Sequence, residues 1–308
     1  MTQRRFRFGL LAGRAASLGE WRELARKAEA QGYSTLLVPD HFGRQLAPFA
    51  ALMAAAAVTT ELRLGTFVID NDFRHPAALA KEAATVDLLT DGRLELGIGA
   101  GWNRADYDTT GLTFEPAGVR VSKMLEAVRI VKAFFEQPTV TFEGAYYTVK
   151  DLEAQPKPKQ QPRPPIMIGA NGRRMVRIAA EEADIINFPD RPSVGTSTAG
   201  NPALGVTFEE QLAIVKDHAK ERYERPELGM LTIPRLTEQV EDTVNGLAEQ
   251  MQTRPEIVRA MPGALIGSAE AIIEQLQATR ERYDLSYPVI PLAHMQDCAP
   301  IVRKLAGT

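Results

Sequence analysis

Residues 62–97 read LRLGTFVIDNDFRHPAALAKEAATVDLLTDGRLELG. The β-rich run Leu62–Ile69 is followed by a helical pattern over Pro76–Leu89, with its proline where a helix starts. The turn Asp91-Gly92 then leads into a second β-rich run, Arg93–Gly97. This order of elements predicts two parallel strands joined by a helical crossover.

The same order recurs along the whole chain. Eight β-rich runs are each followed by a helical pattern: Phe6–Leu11, Ser34–Val38, Leu62–Ile69, Arg93–Gly97, Ile166–Ile168, Asp184–Asn187, Leu228–Leu236 and Tyr287–Leu292. Eight such units indicate a closed (β/α)8 TIM barrel rather than an open doubly wound sheet. We therefore predict one domain over residues 1–308, with insertions that include a hairpin over Pro138–Val149.

The composition excludes several classes of partner. The chain has 36 Lys and Arg against 39 Asp and Glu, so it has no basic excess to neutralise a nucleic acid backbone. Its single cysteine, Cys298, cannot form an internal disulfide, which fits a reducing compartment. No apolar run approaches the length of a membrane span. We expect a cytoplasmic protein that binds neither nucleic acid nor membrane.

The ends of the strands are where a barrel places its chemistry. Asp40 and His41 follow the second predicted strand. An imidazole beside a carboxylate can hold a proton near neutral pH, so this pair is the candidate catalytic site. The alternative is structural, with Asp40 capping the following turn and His41 partly buried.

Two glycine-rich strand ends are candidate ligand sites. Gly97–Gly101 lacks the third glycine of a dinucleotide fingerprint because Trp102 stands there, yet it allows a flat ligand to approach the backbone. The alternative is close packing between strand and helix. Gly169–Gly172 precedes Arg173 and a helix, and offers backbone N–H groups and a guanidinium to a phosphate. A solvated helix start is the alternative here.

Pro189–Gly205 is rich in Pro, Gly, Ser and Thr and matches neither a helix nor a strand pattern. The segment follows the sixth predicted strand. It is therefore either a surface loop or a lid over the barrel site.

The motifs that are absent narrow the chemistry. No lysine stands at a predicted strand end, which counts against a Schiff-base aldolase. The chain has no metalloprotease, serine hydrolase or phosphate-loop motif. Its four histidines are scattered along the sequence, so no metal site is predicted.

Four stretches carry a resemblance to a known family. They are LGTFVIDNDFRHP at 64–76, DGRLELGIGAGWN at 91–103, EGAYY at 143–147 and PIMIGANG at 165–172. In this order they resemble the luciferase-like oxidoreductases, most of all the actinobacterial branch that depends on coenzyme F-420. The resemblance extends from Phe8 to Leu305.

The resemblance implies a TIM barrel with insertions, usually a homodimer, that binds the deazaflavin F-420 or FMN and acts on a small-molecule substrate. It places Asp40 and His41 at the reactive edge of the cofactor ring, and a non-proline cis peptide after Phe67. It implies cofactor contacts from Asp40, Thr66, Phe67, Val68, Gly99, Ala100, Gly101, Trp102, Asn103, Gly169, Ala170, Asn171, Gly172 and Arg173.

Trp102 is where this sequence departs from the family pattern. The sugar-phosphate dehydrogenases of the family have an acidic residue after Gly-x-Gly-x-Gly, and an aromatic residue there suits a flatter, more apolar substrate. The favoured function is hydride transfer between F-420 and a small organic substrate. An FMN-dependent monooxygenase and a non-catalytic cofactor-binding protein are the alternatives.

Overall fold

The computed structural model describes residues 3–189, 207–219 and 226–308. These residues form thirteen strands: β1 (Gly9–Leu11), β2 (Thr35–Val38), β3 (Arg63–Thr66), β4 (Ile69–Asp70), β5 (Leu94–Gly99), β6 (Thr139–Glu143), β7 (Thr148–Glu153), β8 (Ile166–Gly169), β9 (Ile185–Phe188), β10 (Glu227–Leu231), β11 (Ile233–Leu236), β12 (Ala264–Gly267) and β13 (Leu285–Pro291).

The same residues form eleven α-helices: α1 (Leu18–Ala30), α2 (Pro48–Ala56), α3 (Pro76–Leu89), α4 (Arg104–Thr110), α5 (Ala117–Glu136), α6 (Arg173–Glu182), α7 (Phe208–Ala219), α8 (Val240–Gln250), α9 (Pro255–Ala260), α10 (Ala269–Tyr283) and α11 (Met295–Leu305). Short 3₁₀ turns cover Asn71–Phe73 and Leu292–His294. No helix among the described residues is long and apolar enough to span a membrane.

The chain divides into two compact units. The first comprises Met1–Leu11, Lys27–Thr35 and Gly169–Thr308, and the second comprises Ala12–Arg26 and Leu36–Ile168. The single domain expected over residues 1–308 stays a prediction. The segment expected to be a loop or a lid, Pro189–Gly205, lies outside the described residues except for its first residue.

The second unit contains the crossover predicted from residues 62–97. β3 and β4 both pair in parallel with β5, and β5 pairs in parallel with β8. Helix α3 connects β4 to β5, and Pro76 stands in its first turn. The antiparallel hairpin β6–β7 follows α5, which confirms the predicted insertion.

The predicted strand Leu62–Ile69 is interrupted in the structure. It ends at Thr66 and resumes at Ile69, and the peptide between Phe67 and Val68 is cis, as expected. The Thr66 hydroxyl donates to the Gly97 carbonyl and accepts from the Gly97 N–H, both at 2.8 Å, so a side chain replaces part of the backbone ladder. This displacement lets β4 pair with Ile98 and Gly99, and β5 runs two residues beyond its predicted end.

The first unit contains a second set of parallel strands. β1 and β10 both pair with β13, and β10 also pairs with β9. The predicted strand Leu228–Leu236 is divided at Thr232, whose N–H and hydroxyl both donate to the Val289 carbonyl, at 2.9 and 2.8 Å. Beyond that point β11 pairs with β12 in a small separate sheet, and α8 and α9 contribute to its core.

Gly97 is a point where the second unit admits no side chain. A Cβ on this residue would meet the backbone carbonyl of Thr66 and would lie 3.1 Å from Val68 Cγ1. Gly97→Ala should therefore lower the free energy of unfolding by about 1–3 kcal/mol through overpacking.

Gly246 supplies the control for this substitution. It lies in α8, where an added Cβ has no atom within 4 Å. Gly246→Ala should raise the free energy of unfolding by about 0.4–1 kcal/mol, because alanine loses less backbone entropy in a helix. Urea unfolding measures both changes. Equal stability of Gly97→Ala and the native protein would contradict the packing described for β3 and β5.

Candidate active site

His41 lies just beyond β2, and its closest partner is a carboxylate on α4. Its Nδ1 is 2.7 Å from Oδ2 of Asp106, and the side chain of His41 is 25% exposed against 7% for that of Asp106. The amide of Asn103 donates to the same oxygen at 2.9 Å, and the backbone N–H of Phe42 donates to Oδ1 at 3.2 Å. A buried carboxylate with three hydrogen-bond partners thus holds the Nδ1 edge of the imidazole. We call this pair the His41–Asp106 dyad.

Asp40 has a different partner, which corrects one expectation from the sequence. The sequence paired Asp40 with His41 as the candidate catalytic site, and the family resemblance placed both at the edge of the cofactor ring. The carboxylate of Asp40 instead accepts from both terminal nitrogens of Arg74, at 2.7 and 3.2 Å, and from the backbone N–H of Asp70 at 3.2 Å. Asp106 therefore orients the imidazole, and a contact of Asp40 with the ring stays a prediction.

A third carboxylate, Asp70, is buried beside Asp40. The hydroxyl of Tyr107 donates to both of its oxygens at 3.0 Å, and the N–H of Asp72 donates to Oδ1 at 3.0 Å. Burial raises the pKa of Asp70 to about 6, more than these hydrogen bonds lower it. The negative charges of Asp72 and Asp40 act in the same direction as burial. Asp70 thus titrates close to the physiological range.

The glycine-rich end of β5 is packed against protein atoms. A Cβ on Gly99 would lie 2.6 Å from Val68 Cγ2, and one on Gly101 would lie 2.6 Å from Asp70 Oδ2. Gly101 also has φ +73, a conformation that favours glycine. Both glycines are therefore accounted for by close packing. Contacts of Gly99–Asn103 with a cofactor stay predictions.

Trp102 is presented to solvent immediately after this packed segment. Its side chain is 65% exposed, although large aromatic side chains are usually well buried. Its ring meets the ring of His41 edge-on, with centroids 5.5 Å apart and an interplanar angle of 86°. Phe42, next to His41 in the chain, is 49% exposed. Two exposed aromatic rings therefore lie beside the dyad.

The second unit contains most of the predicted site residues. Around the dyad it holds Asp40, the interrupted strand with Thr66, Phe67 and Val68, and the segment Gly99–Asn103. The sequence did not single out Asp106, Tyr107 or Arg74. Helix α4, which carries the first two, was not predicted because seven residues are too few to show a helical period. The available signal was the spacing from Asn103 to Asp106, which is typical of a helix start.

The predicted phosphate turn lies at the start of α6 in the first unit. Gly172 precedes this helix with φ 81, and no side chain caps the helix start. The N–H of Ala170 donates to the Asn187 carbonyl at 2.9 Å, and Arg173 lies 3.7 Å from Glu210. Asn171, in the middle of this turn, is exposed. Phosphate binding at Gly169–Arg173 stays a prediction.

Comparison with known proteins gives the family. The model of the luciferase-like monooxygenase family matches residues 2–192, which is more than half of the chain. The chain belongs to the luciferase-like monooxygenase family, as the sequence motifs indicated.

One curated relative is the F-420-dependent glucose-6-phosphate dehydrogenase of Kineococcus radiotolerans, which is 33% identical over 174 residues. The match covers 54% of this chain and 51% of that protein. The chain thus spans about half the length of the curated relatives it matches.

Two solved structures match over almost the full length of this chain. The F-420-dependent tetrahydromethanopterin reductase of Methanopyrus kandleri has a TM-score of 0.76 at 17% identity, covering 98% of this chain and 99% of that one. An F-420-dependent secondary alcohol dehydrogenase has a TM-score of 0.75 at 18% identity, covering 98% of each chain. At these identities the likeness shows the fold alone. The fold is the (β/α)8 barrel of this family, and the predicted fold class is confirmed.

The raised pKa of Asp70 predicts how stability depends on pH. The folded-state pKa of about 6 exceeds the ordinary value of 3.8, so the contribution of Asp70 to stability is lost as pH rises through 6. Between pH 4 and pH 7 the native protein should lose about 2 kcal/mol of stability relative to Asp70→Asn, which cannot titrate.

Asp108→Asn is the matched control, because Asp108 is exposed and lies on α4. It should follow the pH dependence of the native protein. Urea unfolding at several pH values measures all three proteins. If Asp70→Asn shows the native pH dependence, the carboxyl titrates normally.

Proposed function

We propose that this protein is an F-420-dependent oxidoreductase that transfers hydride between the deazaflavin coenzyme and a small organic substrate. The observation that carries the proposal is the His41–Asp106 dyad, a partly exposed imidazole held by a buried carboxylate. Membership of the luciferase-like family and a relative named as F-420-dependent support the choice of chemistry. We include a homodimer and a cytoplasmic location in this proposal.

The residues around the dyad have the chemistry that a flat cofactor requires. Asp40, Thr66–Val68 and Gly99–Asn103 would surround the ring of the cofactor. Gly169–Gly172 and Arg173 would hold its phosphate, because a helix start and a guanidinium both attract anions. When bound, F-420 supplies a ring carbon that accepts or gives hydride and reacts poorly with oxygen.

The dyad supplies the proton that accompanies hydride transfer. Asp106 accepts from Nδ1 of His41, which leaves Nε2 as the nitrogen that exchanges protons with the substrate. The imidazolium form can donate from Nε2 to a substrate atom that gains negative charge. In the reverse direction neutral Nε2 accepts the proton. Such general acid–base help contributes about 10²–10⁴-fold to a rate.

An FMN-dependent monooxygenase is the second candidate function. The family as a whole is described as luciferase-like monooxygenases, and this description is the observation that favours it. A monooxygenase on the same scaffold would use reduced flavin with oxygen. The choice between the two candidates is therefore a choice of cofactor.

Cofactor titration separates the two candidates. F-420 should bind with a dissociation constant in the micromolar range or below, and FMN should bind more weakly. The reason is the basic helix start with Arg173 and Arg174, which suits the acidic tail of F-420. Fluorescence titration measures both affinities. Tight binding of FMN without a fluorescence change on addition of F-420 would favour the monooxygenase function instead.

The proposed role of the dyad predicts that its variants lose kcat while their affinity for the cofactor changes little. His41→Ala should lower kcat about 10²–10⁴-fold while changing the dissociation constant of the cofactor little. Asp106→Asn should lower kcat by a smaller factor and change its pH profile, because the imidazolium loses its counter-charge. Steady-state kinetics across pH and a cofactor titration of each variant provide the measurements.

His218→Ala is the control for these variants. His218 lies on α7, 3.4 Å from Glu181, and has no place in the proposed mechanism. It should retain native kcat. A His41→Ala variant that also retains native kcat would remove His41 from proton transfer, leaving Asp40 and Asp70 as the remaining candidates.

A further inference from the structure

We propose that Trp102 and Phe42 form a platform that binds a planar, uncharged substrate with a conjugated carbonyl group beside His41. We call these two side chains the aromatic platform. The inference rests on the proposed function, because it names the substrate class of the same site. Three observations carry it: both rings are exposed, neighbouring residues hold both rings in place, and charged side chains lie around them.

Phe42 is exposed and is nevertheless held in place. Its ring packs on Phe73 with centroids 4.9 Å apart, and Phe73 packs on Tyr107 at 5.7 Å. Tyr107 in turn packs edge-on against Phe114 at 4.8 Å. A row of three aromatic rings thus extends from the surface to the fully buried Tyr107, and Phe114 adds a fourth ring to the row. A ring supported in this way loses little conformational entropy when a ligand binds to it.

Trp102 is fixed by the backbone that precedes it. Gly101 adopts φ +73 and lies against the carboxylate of Asp70, where no side chain fits. The indole is further located by its edge-on contact with His41. Its side chain is 65% exposed. A flat ligand gains most from such a surface, because it can stack over the whole ring.

The charges near the platform disfavour a phosphorylated substrate. Four buried carboxylates belong to this region: Asp40, Asp70, Asp72 and Asp106. The cations among them are already engaged. Arg74 is paired with Asp40, and Lys123 lies 2.7 Å from Asp72. The four carboxylates would repel a dianionic phosphate, whereas they would not repel an uncharged ligand.

His41 supplies the polar contact that orients such a ligand. Asp106 occupies Nδ1, so Nε2 is the nitrogen that can donate to a carbonyl oxygen. Among the described residues no hydrogen bond to Nε2 is formed. An apolar surface with one well-placed donor is the usual composition of a small-molecule site. The substrate class that fits is therefore a flat conjugated ketone or aldehyde without charge.

The probe for this proposal is chromone, a planar conjugated ketone, with 4-chromanone and glucose 6-phosphate for comparison. The ring of 4-chromanone is puckered, and the sugar phosphate is charged and not flat. Equilibrium dialysis measures binding to the cofactor-free protein and to the F-420-loaded protein. Chromone should bind more tightly than either comparison ligand.

The variants test whether Trp102 carries the binding. Trp102→Leu should weaken chromone binding about tenfold, because it removes the aromatic stacking surface. Trp102→Phe should restore most of the affinity. Tyr146→Leu, which removes an aromatic ring that is 42% exposed on the hairpin, should leave the affinity unchanged.

Two results would overturn the platform. The first is chromone affinity that changes less than about twofold in Trp102→Leu, with and without F-420. The second is tighter binding of glucose 6-phosphate than of chromone, together with loss of the sugar-phosphate binding in Arg44→Ala. Arg44 is chosen because it is an exposed cation two residues beyond Phe42. Titration of F-420 into the native protein shows separately whether the cofactor binds. Failure of F-420 to bind, together with Trp102-dependent binding of chromone, would instead reject the proposed function and retain the platform.

Discussion

Buried carboxylates are the constraint on which the site depends. An ionised carboxylate removed from water is costly unless donors or a cation surround it. The second unit buries Asp40, Asp70, Asp72 and Asp106, each at least nine-tenths covered. Their donors come from separate parts of the chain: Arg74, Tyr107, Lys123, and the amide and backbone groups around His41. Satisfying these four groups therefore brings the end of β2, the end of β4 and helix α4 into one arrangement.

Two carboxylates in this arrangement have different properties because their surroundings differ. Asp40 has a guanidinium with two hydrogen bonds, which stabilises its ionised form. Asp70 has a phenol and a backbone N–H but no cation, and its pKa is raised to about 6. Burial raises the pKa of Tyr107 as well, so that hydroxyl stays protonated and remains a donor. One region thus contains a carboxylate paired with a guanidinium and a second carboxyl group that changes charge near pH 6.

The interrupted strand connects this electrostatic arrangement to the backbone. Thr66 takes over hydrogen bonds of Gly97 that a regular ladder would make with backbone groups. The strand then resumes as β4, where Ile69 pairs with Ile98 and not with Gly99 as the register of β3 would require, and Asp70 stands at its end. Because Gly97, Gly99 and Gly101 lack side chains, the displaced backbone can lie close against β5. The glycine-rich run therefore serves the packing of β3 and β4 at least as much as any ligand.

The sequence alone determined the fold class and the positions where chemistry was to be sought. The alternation of β-rich and helical runs is a local pattern, and the motifs at 64–76 and 91–103 are contiguous, so both can be recognised without coordinates. The tertiary structure decided which side chains pair. Asp40 is adjacent to His41 in sequence, but successive side chains of an extended segment point apart, and Asp106, 65 residues away, supplies the carboxylate. The two divided strands escaped prediction because hydrogen bonds to distant residues, from Thr66 to Gly97 and from Thr232 to Val289, determine where they end. Helix α4 escaped prediction because its seven residues are too few to show a helical period.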